Sequence, residues 1–90
     1  MSAVRWSQHA LKNLGDREIQ RDEVDRTLAA PDLVAPGQPG RTVLMRRYFD
    51  QIVQQEMLLR VIVEQTAEET VIVTIYKTSR IERYMKESEP

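Results

Sequence analysis

Two β-rich runs near the end of the chain, Leu58 to Gln65 and Thr70 to Thr78, are separated by only Thr66-Ala67-Glu68-Glu69. Both are dense in β-branched residues, which favour pleated, half-buried surfaces. A connection this short joins two strands only as an antiparallel hairpin. That hairpin commits the chain to a sheet, and everything before it must find a place beside or upon it.

A third β-rich run, Arg41 to Phe49, precedes the hairpin, and Asp32 to Ala35 reads as a short extra strand. Pro36-Gly37-Gln38-Pro39-Gly40 between them is a turn or loop. The stretch from Asp50 to Met57 fits either a long hairpin loop or extensions of both flanking strands. Side chains alternate across a strand, so Val71, Val73 and Ile75 form one apolar row, Leu59, Val61 and Val63 a second, and Val43, Met45 and Phe49 a third. The other face holds Arg46, Tyr48, Arg60, Glu64, Thr74, Tyr76 and Thr78, mixed with Leu44, Leu58, Ile62 and Ile72.

The N-terminal third is helical. Ser7 caps a helix over about 7–14, with Ala10, Leu11 and Leu14 on one face and Gly15 placed to end it in a left-handed conformation. A second helix spans about 21–30. Asp22 and Glu23 suit its N-terminal dipole, Ile19 and Val24 have hydrophobic-staple spacing about Gln20, and Pro31 stops it. A short C-terminal helix is expected over about 79–86. The reading is an α+β domain of residues 1–90, with two N-terminal helices on one face of a three- or four-stranded antiparallel sheet over about 32–78.

Ninety residues, 41% hydrophobic and 30% charged, suit one folded domain. With no cysteine, disulfides, zinc-thiolate sites and thiol catalysis are excluded. No signal peptide or apolar span of about 20 residues is present, so a cytoplasmic location is expected, with no membrane partner. The formal charge is −1, which withholds the basic excess usual for nucleic-acid binders. Yet ten of the thirteen basic residues are arginine, the side chain that grips phosphate or carboxylate in bidentate fashion.

Arg60 is the most informative of them. It interrupts Leu58-Leu59-Arg60-Val61-Ile62-Val63 in what should be a central strand. A charge there needs a partner or an open groove. One reading pairs it with Glu64 or another carboxylate across the sheet; the other makes it a phosphate-binding arginine in a cleft. Lys77, Arg80, Arg83 and Lys86 form a basic cluster interleaved with Tyr76 and Tyr84, suited to phosphates and stacked bases or simply to a solvated helix. His9, the only histidine, fits a structural role or acid–base catalysis. It cannot build a metal site alone, and neither a hydroxyl-based triad nor a glycine-rich phosphate loop is readable.

The motifs Ser7-Gln8-His9-Ala10-Leu11, Arg17-Glu18-Ile19, Val24 and Ala30-Pro31-Asp32, followed by Leu59-Arg60-Val61, Val73 through Ile81 and Tyr84, resemble in order and spacing the small bacterial family called domain of unknown function 4258. That family is similar to the RelE/ParE and BrnT toxins of type II toxin–antitoxin modules. The resemblance implies helices on a four-stranded antiparallel sheet and a metal-independent endoribonuclease (mRNA interferase) without cofactor, checked by a small antitoxin encoded next door. It assigns His9, Arg60 and Tyr76 to catalysis, and Arg17, Arg46, Lys77, Thr78, Arg80 and Tyr84 to RNA binding. The near-neutral charge keeps a second expectation open: a non-catalytic interaction domain on the same scaffold, binding a small protein partner.

Overall fold

The computed structural model describes residues 3–87. The elements run β1 (Ala3–Trp6), α1 (Gln8–Asp16), α2 (Arg21–Ala29), β2 (Leu33–Pro36), β3 (Thr42–Asp50), β4 (Gln55–Gln65), β5 (Glu69–Thr78) and α3 (Ile81–Glu87). They build one five-stranded sheet of order β1-β5-β4-β3-β2. β1 lies parallel to β5, and the other pairings are antiparallel. The sheet is therefore larger than expected and mixed rather than purely antiparallel. β1 escaped the sequence reading because its four residues, Ala-Val-Arg-Trp, are mostly exposed and carry no apolar alternation. What holds it is main-chain pairing to β5 from Glu69 to Ile72, and hydrogen bonding of backbone leaves no side-chain pattern.

The Ser7 cap forms as expected. Its Oγ accepts from the Ala10 N–H at 3.0 Å and donates to the Val73 carbonyl at 2.9 Å, tying the helix start to β5. Gly15 does not end α1. The helix continues to Asp16, and the left-handed residue is Glu18, with φ +52°. The Ile19 N–H bonds to the Leu14 carbonyl and the Glu18 N–H to the Gly15 carbonyl, the two bonds of a Schellman motif. Burial of Ile19 fixes that turn, so the apolar anchor outweighs the glycine's freedom. α2 ends before Pro31 as read, and Gln20 makes no side-chain cap.

The ambiguous stretch resolves into both options at once. β3 and β4 extend toward each other and leave a four-residue turn, 51–54. Asp50 closes it by accepting the N–H groups of Ile52 and Val53 at 2.8 and 3.2 Å.

Two of the three expected apolar rows need correction. On β4, Leu59, Val61 and Val63 do face α1 and α2. On β3 the parity is reversed: Leu44 and Tyr48 join the helix-side cluster, while Val43 and Met45 lie on the other face and Phe49 is exposed. A one-residue slip moves a whole strand's side chains across the sheet. On β5 a bulge shifts the register, so that Ile62 pairs with Thr74 but Val63 with Ile72. The extra residue breaks strict alternation, and Ile75 and Ile72, not Val73 and Val71, reach the helix-side core.

The second face is not left bare. Ala35, Val43, Met45 and Leu58 form a smaller cluster there, and Ile81, Tyr84 and Met85 of α3 pack against it. α1 and α2 thus cover one side, and the short α3 covers part of the other.

Candidate nucleic-acid interface beside Arg60

Strand alternation sends Arg60 to the α3 side of the sheet, with Met45 across from it on β3 and Tyr76 across from it on β5. Its guanidinium carbon lies 5.2 Å from the Tyr76 ring centroid and 4.3 Å from that of Tyr84 on α3. The two rings meet edge to face at 6.4 Å. The guanidinium lies against both rings, a cation–π arrangement that stabilises the charge. Nε of Arg60 is buried and has no hydrogen-bond partner.

Among the described residues, the ion pair that would have explained Arg60 structurally is not made. Glu64 pairs instead with Arg41 at 3.1 Å, Glu56 with Arg47 at 2.8 Å, and Glu23 with Arg46. Among the described residues no carboxylate neutralises Arg60.

Arg17 reaches the same place from the opposite side of the sheet. β1 pairs with β5 only through Ile72, so the outer edge of β5 from Val73 onward lacks a strand. Side chains of α1 cover it. Asn13 Oδ1 accepts from the Thr74 hydroxyl and the Ile75 N–H, and Arg17 Nη1 donates to the Ile75 carbonyl at 2.7 Å. This wraps Arg17 around the edge and leaves its guanidinium 6.0 Å from the Tyr76 ring. Burial pushes the Tyr76 hydroxyl above its ordinary range; the nearby Arg60 and Arg17 charges only partly offset this. Tyr76 is thus a phenol at neutral pH, a proton donor rather than a base.

Arg60 and Tyr76 also border a groove of about 300 Å³, completed by Arg41, Val43, Ile62, Thr74 and the turn at Gly37-Gln38. A second hollow near the start of α3 brings Arg47, Arg80 and Arg83 together with Glu82.

The other expected site residues fall elsewhere. Lys77 and Arg46 lie on the α1/α2 side of the sheet. Lys77 Nζ donates to Asp50 Oδ2 at 2.7 Å and to the Glu18 carbonyl at 2.9 Å. The Tyr48 hydroxyl donates to the same carboxylate oxygen at 2.9 Å. With Lys77 and Asp50 side chains only 10% and 4% exposed, this is a satisfied internal network, not a surface for RNA. Burial raises the Asp50 carboxyl, but the hydrogen bonds from Lys77, Val53, Tyr48 and Ile52 outweigh it and bring it down to about 2. Arg46 pairs with Glu23 and stacks 5.6 Å from Tyr48. Thr78 shares the Arg60 face, and its hydroxyl accepts the Arg80 N–H at 3.1 Å, shaping the turn into α3. His9 is exposed on α1, with the sheet between that helix and the Arg60 side chain.

The structure therefore unites Arg17, Arg60, Tyr76 and Tyr84, leaves Arg80 in the neighbouring hollow, and separates His9, Arg46 and Lys77 from them. Gln38 and Arg41 went unnoticed in the sequence. They flank a Pro-Gly turn, and only β3–β4 pairing brings that turn beside Ile62.

In comparison with known families, the model of the family described as Domain of unknown function (DUF4258) matches residues 6–77. The matched span holds Arg17, Arg60 and Tyr76 and stops before α3. No curated protein and no solved structure matches the chain. Among the described residues, no helix is long and apolar enough to cross a membrane.

Proposed function

Since the chain belongs to the DUF4258 family, whose description assigns no activity, we propose a function from the Arg60 face: it binds single-stranded RNA there and acts as the toxin of a bacterial type II toxin–antitoxin module, a metal-independent endoribonuclease. One observation carries the reading. A cation in a central strand lies against two tyrosines, partly buried, with no acid among the described residues to neutralise it. Leaving such a charge uncompensated costs stability; an anionic substrate removes that cost.

In this scheme the ribose 2′-oxygen attacks the adjacent phosphorus, and the bond to the 5′-oxygen breaks. Arg60 and Arg17 meet the charge that grows on the phosphoryl oxygens. The Tyr76 phenol, protonated at neutral pH, donates to a phosphoryl oxygen or to the departing 5′-oxygen. In this scheme the 2′-hydroxyl gives its proton to solvent, and Arg60, with no imidazole or carboxylate bonded to it among the described residues, serves the phosphate alone.

Purified protein incubated with single-stranded RNA in EDTA should yield cleavage products, and Arg60→Ala should lower the rate about 100-fold or more. His9→Ala should cleave at the wild-type rate. Equal cleavage by wild type and Arg60→Ala rejects the assignment. Co-expression of the adjacent reading frame should relieve growth arrest caused by the chain. The formal charge of −1 favours a second reading, a non-catalytic domain that binds a small protein partner. RNA left intact, together with tight binding of the neighbouring gene product, would select it.

A further inference from the structure

The groove beside Arg60 has three chemically distinct parts. Its floor is apolar, made by Val43 and Ile62 on neighbouring strands. One wall is the Tyr76 ring, with the Arg60 guanidinium against it. The rim carries two polar groups. Arg41 lines the groove and holds Glu64 through its Nε. Gln38 sits in a turn closed by the Arg41 N–H to Gln38 carbonyl bond at 2.8 Å and the Gly37 N–H to Arg41 carbonyl bond at 3.1 Å. Its carboxamide makes no hydrogen bond among the described residues, so both donor and acceptor are available. Gly37 keeps the rim close: a Cβ there would sit 3.3 Å from Val43 Cγ2.

These parts exclude simpler occupants. Inorganic phosphate would satisfy Arg60 but leave the floor and the Tyr76 wall wet. A purely apolar ligand would cover the floor but leave the Arg60 charge uncompensated, which is costly. The occupant has to be flat and aromatic at one end and anionic at the other, with hydrogen-bonding groups on its edge. About 300 Å³ is at the small end of ligand pockets, which suits one such unit rather than a run of them.

We infer that this groove holds one unpaired nucleotide: phosphate on Arg60, base over Val43 and Ile62 beside Tyr76, and base edge against the Gln38 carboxamide. The inference deepens the RNA reading above and rests on its assignment of Arg60 to phosphate. Gln38 is then a residue that reads the base, which no catalytic role would require of it.

The test is titration of the whole chain with 5′-nucleoside monophosphates, ribose 5-phosphate and inorganic phosphate, followed by calorimetry and by amide shifts in NMR. At least one nucleoside monophosphate should bind about tenfold more tightly than ribose 5-phosphate, the increment expected of a stacked base. Amides of Gly37, Gln38, Thr74 and Tyr76 should shift. Gln38→Ala, in an exposed turn that leaves the fold intact, should weaken nucleotide binding about fivefold and leave phosphate binding unchanged. Arg60→Gln should remove both. Equal affinity for all three ligands, indifference to Gln38→Ala, or shifts confined to α1 and α2 would overturn the inference. RNA cleaved by a chain that binds nucleotides no better than phosphate would overturn the groove and leave the ribonuclease reading standing. Nucleotides bound in the groove by a chain that leaves RNA intact would uphold the groove and remove the ribonuclease.

Discussion

The guanidinium carbon of Arg60 lies 4.3 Å from the ring centroid of Tyr84, so a side chain of the central strand β4 is covered by one from the last helix. α3 is only seven residues long, too short to be stable alone. It is held by what it covers: Ile81, Tyr84 and Met85 pack on the cluster of Val43, Met45 and Leu58. Tyr84→Ala removes both an aromatic cover and a desolvated cation–π contact, and should cost about 1–2 kcal/mol. A fall in the urea midpoint at unchanged slope would show it; an unmoved midpoint would mean that α3 contributes nothing to the fold.

Lys77 and Asp50 should prove structural. Removing one member of a buried pair strands the other charge, at about 3–5 kcal/mol. Lys77→Met should therefore destabilise the protein severely, and adding Asp50→Asn should restore part of the loss, because the amide oxygen can still accept from Ile52 and Val53. Denaturant unfolding of the single and double variants gives the comparison. A Lys77→Met protein as stable as wild type would contradict the network.

The same pair sets an acid limit. The Asp50 carboxyl titrates near 2 in the fold against an ordinary 3.8. A depressed folded value favours the charged form, so its contribution is complete above about pH 4 and disappears as the pH falls toward 2. The loss is about 2 kcal/mol across that window. Unfolding free energies measured from pH 5 to pH 2 should show this slope, and Asp50→Asn should flatten it.

Glu18 stands in the left-handed region at φ +52°, where a side chain costs roughly 1 kcal/mol. Only its backbone carbonyl is used by Lys77. Glu18→Gly should thus raise stability by up to about 1 kcal/mol, offset in part by the freer unfolded chain. A lower thermal midpoint would argue against the Schellman geometry.

Local chemistry made much of the fold legible. The Ser7 cap, the Pro31 stop and the Thr66–Glu69 hairpin are written in residues adjacent to the structures they make. The prominence of Arg60 was legible as well, because a charge inside Leu58 to Val63 violates its own context. The convergence of Arg17, Arg60, Tyr76 and Tyr84 was not, since it depends on a helix end wrapping a strand edge and on α3 folding back. Lys77 misled for the same reason. Adjacent to Tyr76 in sequence, it points through the other face of the sheet to Asp50, a residue 27 positions away.

The sequence alone determined the α+β class, both N-terminal helices, the β4–β5 hairpin and the presence of an anomalous arginine in it. Each follows from periodicity, capping and propensity, which act over a few residues. Tertiary structure decided the fifth strand, the parity of β3 and the bulge in β5. These rest on main-chain pairing between distant segments, and the side chains barely encode it. It also decided what surrounds Arg60. A sheet has two faces a side chain's length apart, and which face a residue takes depends on register. The fate of a charge, to be paired inside like Lys77 or set against two tyrosine rings beside a groove like Arg60, is settled only when the strands have docked.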